Sequence, residues 1–437
     1  MGATPDSTWQ ASNGVTRAAS NRPPVLFAAI LAVLSYGWIW AGLRPIVFCN
    51  SSSDFSCFYR AGRMVIEGDG SRVYDLAAER QYDQRLGTGF LDKQGHSFSL
   101  PFVFPPYSLV LFAPLACLPY RLAELAWFVV NMGMLLALPF ALRRRSQWRD
   151  KTIAAELLAP VLFLPVVLAL MQGQPSILLL LLFAIAFAAL AHGNDARAGM
   201  VLAFGTLKPQ LVLPMLLALV IWRKWRTLAA FVSTSIALLG VSIAIVGWRA
   251  AWEYPRALMK FNQLSGNLAG EHPASMPNLR GCLYLLLQAR SSGAGVAGIT
   301  AALSLLLLLA MAMLLTRRAR VSPTSYSLVV VVTLLVSYHA YLHDDSLLLL
   351  PVLLMTQQVR RVRWTVSHAV LAATMAGLYV VPVLPVSLAA TAIQMMAAML
   401  VSAAVLAVDL SNEVRSQEPS VAQSTPPSAS RQPMNIA

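Results

Sequence analysis

Long apolar runs separated by short polar stretches dominate the chain. Twelve runs occur, and the first, residues 25–43, has about the length that a bilayer-spanning helix requires. The other runs are 104–118, 122–142, 152–171, 176–192, 198–222, 227–247, 296–316, 324–341, 345–358, 365–382 and 386–408. Charged residues make up only 12% of the chain, whereas a soluble domain carries about 25%. The sequence therefore predicts an all-α, polytopic membrane protein with roughly ten to thirteen membrane segments.

Polar segments divide the chain into three parts. Residues 1–24 and 409–437 are rich in Ser, Pro and other polar residues, so we predict disordered cytoplasmic tails on either side of a membrane domain at 25–408. Two long polar loops interrupt this domain at 45–100 and 248–280, and the first contains seven acidic residues. We therefore expect the chemistry to lie in or near these loops.

Two of the apolar runs do not resemble simple spanning helices. The run 104–118 is short and contains three prolines, so we expect a re-entrant segment there. The run 198–222 has basic residues on both flanks, and we expect it to break into two short helices at Lys208 and Pro209.

Basic residues cluster between the apolar runs and predict the orientation of the chain. The clusters are Arg143–Arg145, Arg223–Arg226, Arg317–Arg320 and Arg360–Arg363, and the formal net charge is +14. Because Lys and Arg mark cytoplasmic loops, both termini are expected inside, and the stretches 45–100, 248–280 and 338–345 outside. Membrane spans separate the clusters, which excludes one continuous groove for a nucleic acid.

Asp54 is the first candidate for chemistry. It lies among apolar and aromatic neighbours after the first apolar run, where desolvation disfavours its charged form. Such a carboxylate can accept a proton from a hydroxyl group, but an Asp before an apolar run is also a common helix N-cap. The local sequence leaves both interpretations open. Asp75 is more simply interpreted as the cap of a helix in the same loop.

Further candidates lie between residues 208 and 344. Lys208 is placed inside an apolar run, where it would bind a phosphate or extend its ammonium group to the membrane surface. His339 and His343 have the spacing that places two residues on one helix face, and Asp344 follows them. They lack the His-Glu-x-x-His pattern, so we expect contact with substrate or a capping role and no metal site. Arg280 in the second long loop would bind phosphate or form a structural turn.

Cysteines are few and carry little information. Cys49 and Cys57 lie in the first polar loop, where they would form a disulfide or remain two free thiols. The other two, Cys117 and Cys282, are distant in sequence, and the chain has no Cys-x-x-Cys pair. A redox or zinc site is therefore not expected.

Several of these segments together resemble glycosyltransferase family 87, whose members are polyprenol-phosphate-mannose-dependent mannosyltransferases of the GT-C superfamily. The similarity begins at Asp54-Phe55 with Phe58-Tyr59 and Ala61-Gly62, and continues through Glu67–Asp69 and Val73–Asp75. It extends in order through Phe102–Pro106, Phe112–Leu115, Leu118-Pro119, Gln172–Gln174, Ala198-Gly199, Leu207–Pro209 and Met276–Gly281.

The resemblance implies a GT-C-type fold, a polyprenyl-phosphate-linked sugar donor, and transfer of mannose to a lipid or glycan acceptor outside a bacterial inner membrane. It also implies that Asp54 is the catalytic acidic residue and that the reaction inverts the anomeric carbon. Candidate substrate contacts are Tyr59, Lys208, Asn278, Arg280, His339, His343 and Asp344. No cofactor is expected. A polytopic lipid or solute transporter without transferase activity remains the alternative.

Overall fold

In a computed structural model of the chain, the structure describes residues 37, 53–91, 97–142, 157, 160–263, 273–287, 293–317, 320–359 and 388–415. The predicted N-terminal tail, Cys49 and the apolar run 365–382 lie outside the described residues, as does all of the run 25–43 except Gly37.

The described residues form fourteen α-helices and one small hairpin. The helices are α1 (Phe55–Ile66), α2 (Leu76–Leu86), α3 (Leu109–Ala116), α4 (Tyr120–Leu142), α5 (Leu164–Gln172), α6 (Ser176–Ala191), α7 (Asp195–Phe204), α8 (Pro209–Ile221), α9 (Trp225–Gln263), α10 (Leu279–Leu287), α11 (Gly293–Arg317), α12 (Pro323–Val336), α13 (Leu349–Val359) and α14 (Leu388–Arg415). The hairpin pairs β1 (Phe90–Leu91) with β2 (Ser97–Phe98) in antiparallel register. The predicted all-α class is confirmed.

Four of the helices are long and apolar enough to cross a membrane. They contain the segments Tyr120–Leu142, Trp225–Phe261, Gly293–Arg317 and Ala390–Asn412, whose mean hydropathy is 2.0 to 2.4. Large apolar side chains on their outer faces are exposed, such as Ile236 at 65% and Leu306 at 61%. Because lipid is the solvent for such a surface, this exposure agrees with the predicted membrane protein.

Helix α9 is longer than the sequence predicts. Its 39 residues would extend about 58 Å, roughly twice the hydrocarbon thickness of a bilayer. Gly247 interrupts the helix with φ 82° and ψ 162°, a conformation that glycine adopts without a side-chain clash. The expectation of a loop from residue 248 is therefore wrong, since the chain stays helical through Gln263 beyond this kink.

The two unusual apolar runs both form short helices. Helix α3 has eight residues, about 12 Å, and cannot span a bilayer. It packs closely on α1, because a Cβ added to Gly62 would lie 2.8 Å from the carbonyl oxygen of Phe112. The predicted break at Lys208 is confirmed: α7 ends before it and α8 begins after it.

Two predicted helix ends are wrong. The last helix, α14, continues through Arg415, past the predicted tail boundary at 408. Helix α12 ends at Val336, because Ser337 turns out of the helix with ψ 130°. His339 and His343 therefore lie in a turn between helices, and the expectation that they share a helix face is wrong. This turn leads into α13 and carries three of the predicted site residues.

Candidate active site

One cavity of about 600 Å³ is lined by four of the eight predicted site residues. Its polar lining includes residues from four separate places in the chain: the start of α1, the turn between α5 and α6, the break between α7 and α8, and the turn after α12. The polar lining residues include Asp54, Gln174, Lys208, His339 and His343. Apolar side chains of the segment 100–104, of α8 and of α9 cover much of the remaining wall. The cavity can therefore hold a ligand with both polar and apolar parts.

Asp54 directly precedes α1 and lines the cavity. Its side chain makes no capping bond to the helix, and its Oδ2 atom instead accepts a hydrogen bond from Nε2 of Gln174 at 2.6 Å. Among the described residues, no donor reaches the second oxygen, Oδ1. Burial raises the pKa of Asp54, while the bond from Gln174 and the positive charge of Lys208 oppose that rise. The N-cap interpretation thus does not account for the carboxylate.

A sharp turn at Gly173 brings Gln174 to Asp54. Gly173 ends α5 with φ 65°, and a Cβ at this position would lie 2.6 Å from the Cβ of Phe55. The indole of Trp127 donates a hydrogen bond of 2.8 Å to the carbonyl oxygen of Gly173. Only glycine permits this close approach to the start of α1. The turn therefore has a fixed position next to Asp54.

Lys208 is buried and forms an ion pair. Its side chain does not extend to a surface, since the residue is only 7% exposed and its Nζ lies 2.5 Å from Oδ1 of Asp344. Three further polar atoms lie 3.3 to 3.4 Å from Nζ and belong to Gln174, Ser176 and His343. The snorkelling alternative does not fit this position. We call Asp54, Gln174, Lys208, His343 and Asp344 the cavity network.

His343 and Asp344 complete the network from the turn after α12. Burial lowers the pKa of His343 to about 3 against the opposing charge of Asp344, so its imidazole is neutral. Burial also raises the pKa of Asp344, but the charge of Lys208 and the hydrogen bonds from Lys208 and Ser176 together hold that pKa below its usual value. The hydroxyl of Ser176 donates to Asp344 at 2.7 Å. Asp344 therefore remains ionised beside Lys208.

His339 lies in the same turn and also lines the cavity. Its ring packs edge-on against Tyr341 at 4.9 Å and Phe261 at 5.5 Å between ring centroids. Its carbonyl oxygen accepts a hydrogen bond of 3.0 Å from Gln210 on α8. Aromatic rings and a histidine thus form one wall of the cavity.

The remaining predicted contacts lie outside the set of residues that line the cavity. The hydroxyl of Tyr59 donates to the carbonyl oxygen of Leu118 at 2.9 Å. Asn278 donates to the carbonyl oxygen of Ser337 at 3.0 Å and accepts from the amide of Gly281, and so supports the turn structurally. Arg280 lies 3.7 Å above the ring of Tyr338 and donates to its carbonyl oxygen.

Two other sequence expectations have structural counterparts. Asp75 caps α2, since its carboxylate accepts from the amides of Ala77 and Ala78, which confirms its predicted role. Cys57 has a free thiol that donates to the carbonyl oxygen of Asp54 at 3.0 Å, while Cys49 lies outside the described residues. Within the part of the chain that the structure describes, no group of three or more His, Cys, Asp and Glu residues is arranged to hold a metal ion.

Sequence reasoning did not assign a role to Gln172, Gln174 or Ser176. All three side chains bond to members of the cavity network. The available signal was the Gln172–Gln174 motif of the family resemblance, which carries no chemistry by itself. Glutamine and serine are common in turns and helices, and their contacts with residues more than 100 positions away have no local pattern.

An all-α membrane protein with a buried carboxylate and an ion pair around one amphipathic cavity belongs to a class that contains membrane-embedded transferases and transporters. The chain belongs to glycosyltransferase family 87, whose family model matches residues 102–337. It is therefore a membrane glycosyltransferase, and the transporter alternative is disfavoured. The match contains Lys208, Asn278 and Arg280, begins after Asp54 and ends before His339. No curated protein and no solved structure matches the chain.

Proposed function

We propose that the protein transfers mannose from a polyprenyl-phosphate donor to a hydroxyl group of a lipid or glycan acceptor. The observation that carries this proposal is the convergence of Asp54, Lys208 and His343 on one cavity, although they lie far apart in sequence. A carboxylate supplies a proton acceptor, and the ammonium group of Lys208, which His343 contacts, suits a phosphate. The apolar wall suits the first isoprene units of a lipid donor.

In the proposed reaction, the free oxygen of Asp54 takes the proton of the acceptor hydroxyl. The hydroxyl oxygen then forms a bond to the anomeric carbon, while the bond from that carbon to the phosphate oxygen breaks. The bonding electron pair leaves with polyprenyl phosphate. Because attack and departure occur on opposite faces of the sugar, the anomeric configuration inverts. A single catalytic carboxylate, Asp54, is sufficient for this route.

Lys208 is proposed to stabilise the leaving phosphate, and His343, whose Nε2 faces the ammonium group, is proposed to hold that group in place. Preorganised cations and donors stabilise a developing negative charge most strongly in a site that excludes water. A phosphate oxygen would replace the 3.3 Å contact of Lys208 with Ser176, while the 2.5 Å pair with Asp344 and the contacts with Gln174 and His343 remain. His339 is proposed to contact the phosphate or the sugar from the aromatic wall.

The proposed site opens to the outer face of a bacterial inner membrane. Lys208 lies at one end of α8, and the basic cluster Arg223–Arg226 follows the other end, about 20 Å away. Basic loops stay in the cytoplasm, which supports an outer position for the Lys208 end. The exposed residue Ser71, replaced by cysteine in a chain without the four native cysteines, should react with an impermeant reagent in intact cells. Labelling only after the membrane is opened would contradict this orientation.

Replacing Asp54 with asparagine tests the proposed chemistry. Asn keeps the size and one oxygen but cannot accept the proton, so Asp54→Asn should reduce transfer from labelled polyprenyl-phosphate-mannose by at least about 100-fold. Expression and donor binding should stay near those of the parent. Asp75→Asn is the matched control, because Asn caps a helix as well as Asp and this variant should remain active. An Asp54→Asn protein with more than about a tenth of parental activity would rule out the base assignment.

A further inference from the structure

We propose that the turn Gln172–Gln174 positions the two reacting sides of the site: Gln174 orients the Asp54 carboxylate, and Gln172 holds His343 in a single tautomer. This inference rests on the proposed role of Asp54 as the base. Gln174 and Gln172 are positioning residues here, since they act through Asp54 and His343.

The ammonium group of Lys208 determines how Gln174 is oriented. An ammonium group has only donors, so the atom of Gln174 that faces Lys208 at 3.4 Å must be the amide oxygen Oε1. The amide nitrogen Nε2 then points the other way and donates to Oδ2 of Asp54 at 2.6 Å. One amide group thus links Lys208 to Asp54. A donor fixed on Oδ2 leaves Oδ1 as the oxygen that accepts the proton.

The same ammonium group also determines the tautomer of His343. Nε2 of His343 lies 3.3 Å from Nζ of Lys208 and must accept, so it carries no proton. The proton of the neutral ring is therefore on Nδ1, which donates to Oε1 of Gln172 at 2.7 Å. Gln172 thus fixes the ring orientation by the hydrogen bond at its other nitrogen.

The turn is rigid enough to position both residues. Gly173 lies between the two glutamines in a conformation that only glycine adopts easily, and its carbonyl oxygen is held by Trp127 at 2.8 Å. Its close approach to Phe55 sets the distance to Asp54. Side chains at residues 172 and 174 therefore diverge from one fixed point toward the two sides of the cavity.

Removal of the Gln174 amide should shift the acidic limb of the pH–rate profile, which is the range where activity falls as pH decreases. A hydrogen bond donated to a carboxylate favours its ionised form, so removing the Gln174 amide should make Asp54 harder to ionise. Other titratable groups surround Asp54 and stay in place in this variant. They are Cys57 on the same helix, Glu124 through Ser53, and Lys208, His343 and Asp344 across the cavity.

The experiment compares kcat/KM from about pH 5 to pH 9 for the parent, Gln174→Leu and Gln172→Leu. Gln174→Leu should shift the acidic limb upward by about one pH unit, a roughly tenfold loss on the limb with little loss on the plateau. The matched control Gln172→Leu removes the same side chain two residues away. It should raise KM for the donor severalfold and leave the acidic limb in place.

A second variant guards against simple misfolding. Gln174→Glu keeps the shape and an oxygen for Lys208, but places a second carboxylate beside Asp54, so it should shift the limb further than Gln174→Leu. An equal loss at every pH, or an unmoved limb in both Gln174 variants, would overturn the inference. Asp54→Asn separates the two proposals: if that variant stays active, the base assignment fails. If it is inactive and the limb does not move, only the positioning role fails.

Discussion

Two buried ion networks in this protein have similar chemistry and opposite surroundings. Arg60, Glu79 and Asp83, which we call the Arg60 cluster, are each at most 2% exposed and do not line the cavity. The cavity network contains a similar buried ion pair, Lys208 with Asp344, but all of its members except Asp344 line the cavity. One network is closed by protein on all sides, and the other is open to a ligand.

The Arg60 cluster joins neighbouring parts of one segment. Arg60 on α1 lies 2.5 Å from Asp83 and 3.0 Å from Glu79, both on α2, and donates to the carbonyl oxygen of Leu100 at 2.6 Å. Glu79 in turn accepts from the amide of Phe102. These contacts hold the stretch that continues into the cavity wall at Leu100 and Phe104. We infer that the Arg60 cluster stabilises the scaffold, whereas the cavity network takes part in the proposed reaction.

The largest expected effect separates these roles at Lys208. Lys208→Met should reduce transfer by about 100-fold or more, since it removes a cation from the proposed phosphate site. It should also lower the free energy of unfolding by about 3 to 5 kcal/mol, because Asp344 is left buried without its ion pair. Thermal unfolding in detergent and a transferase assay measure the two effects.

A double variant tells the two losses apart. Lys208→Met/Asp344→Asn leaves no unpaired charge at the ion pair itself, so stability should recover in part while transfer stays low. Recovery of activity together with stability would mean that Lys208 acts only on folding, as the Arg60 cluster does. The comparison between the two networks would then fail.

The sequence predicted the helices better than it predicted the contacts of the cavity network. Apolar runs determine helices locally, so the run 122–142 matches α4 within two residues. The pair Lys208–Asp344 joins residues 136 positions apart, and no local pattern encodes such a contact. The turn that holds His339 and His343 was predicted as helix, because spacing alone cannot reveal that the chain leaves the helix at Ser337.

The next prediction concerns pH and the Arg60 cluster. Burial raises the pKa of Glu79 from 4.5 to about 7, against the opposing charge of Arg60. Between these values the folded protein keeps a proton that the unfolded chain has released, so the free energy of unfolding should fall as pH rises through this window. The shift corresponds to a fall on the order of 3 kcal/mol.

Unfolding measured across this pH window checks the prediction. Glu79→Gln should abolish the fall, whereas Glu253→Gln, at a more exposed position on α9, should leave it in place. The acidic limb of the transfer reaction should be the same in the parent and in Glu79→Gln, because Glu79 is outside the cavity. If the acidic limb shifted in Glu79→Gln, this would show that the Arg60 cluster also influences the transfer reaction.

The smallest expected effect is at Arg280, which contacts a residue of the cavity wall but does not line the cavity itself. Its guanidinium packs on the ring of Tyr338, a partly exposed residue that lines the cavity, but Arg280 itself is outside the lining. A cation–π contact at such a site is worth about 0.5 to 1 kcal/mol, so Arg280→Gln should change kcat/KM by about two- to fivefold. Tyr338→Phe keeps the ring and should have a smaller effect than Tyr338→Leu. If Arg280→Gln instead reduced transfer as severely as Lys208→Met, this would indicate that Arg280 binds the donor phosphate directly. The cavity network would then include Arg280.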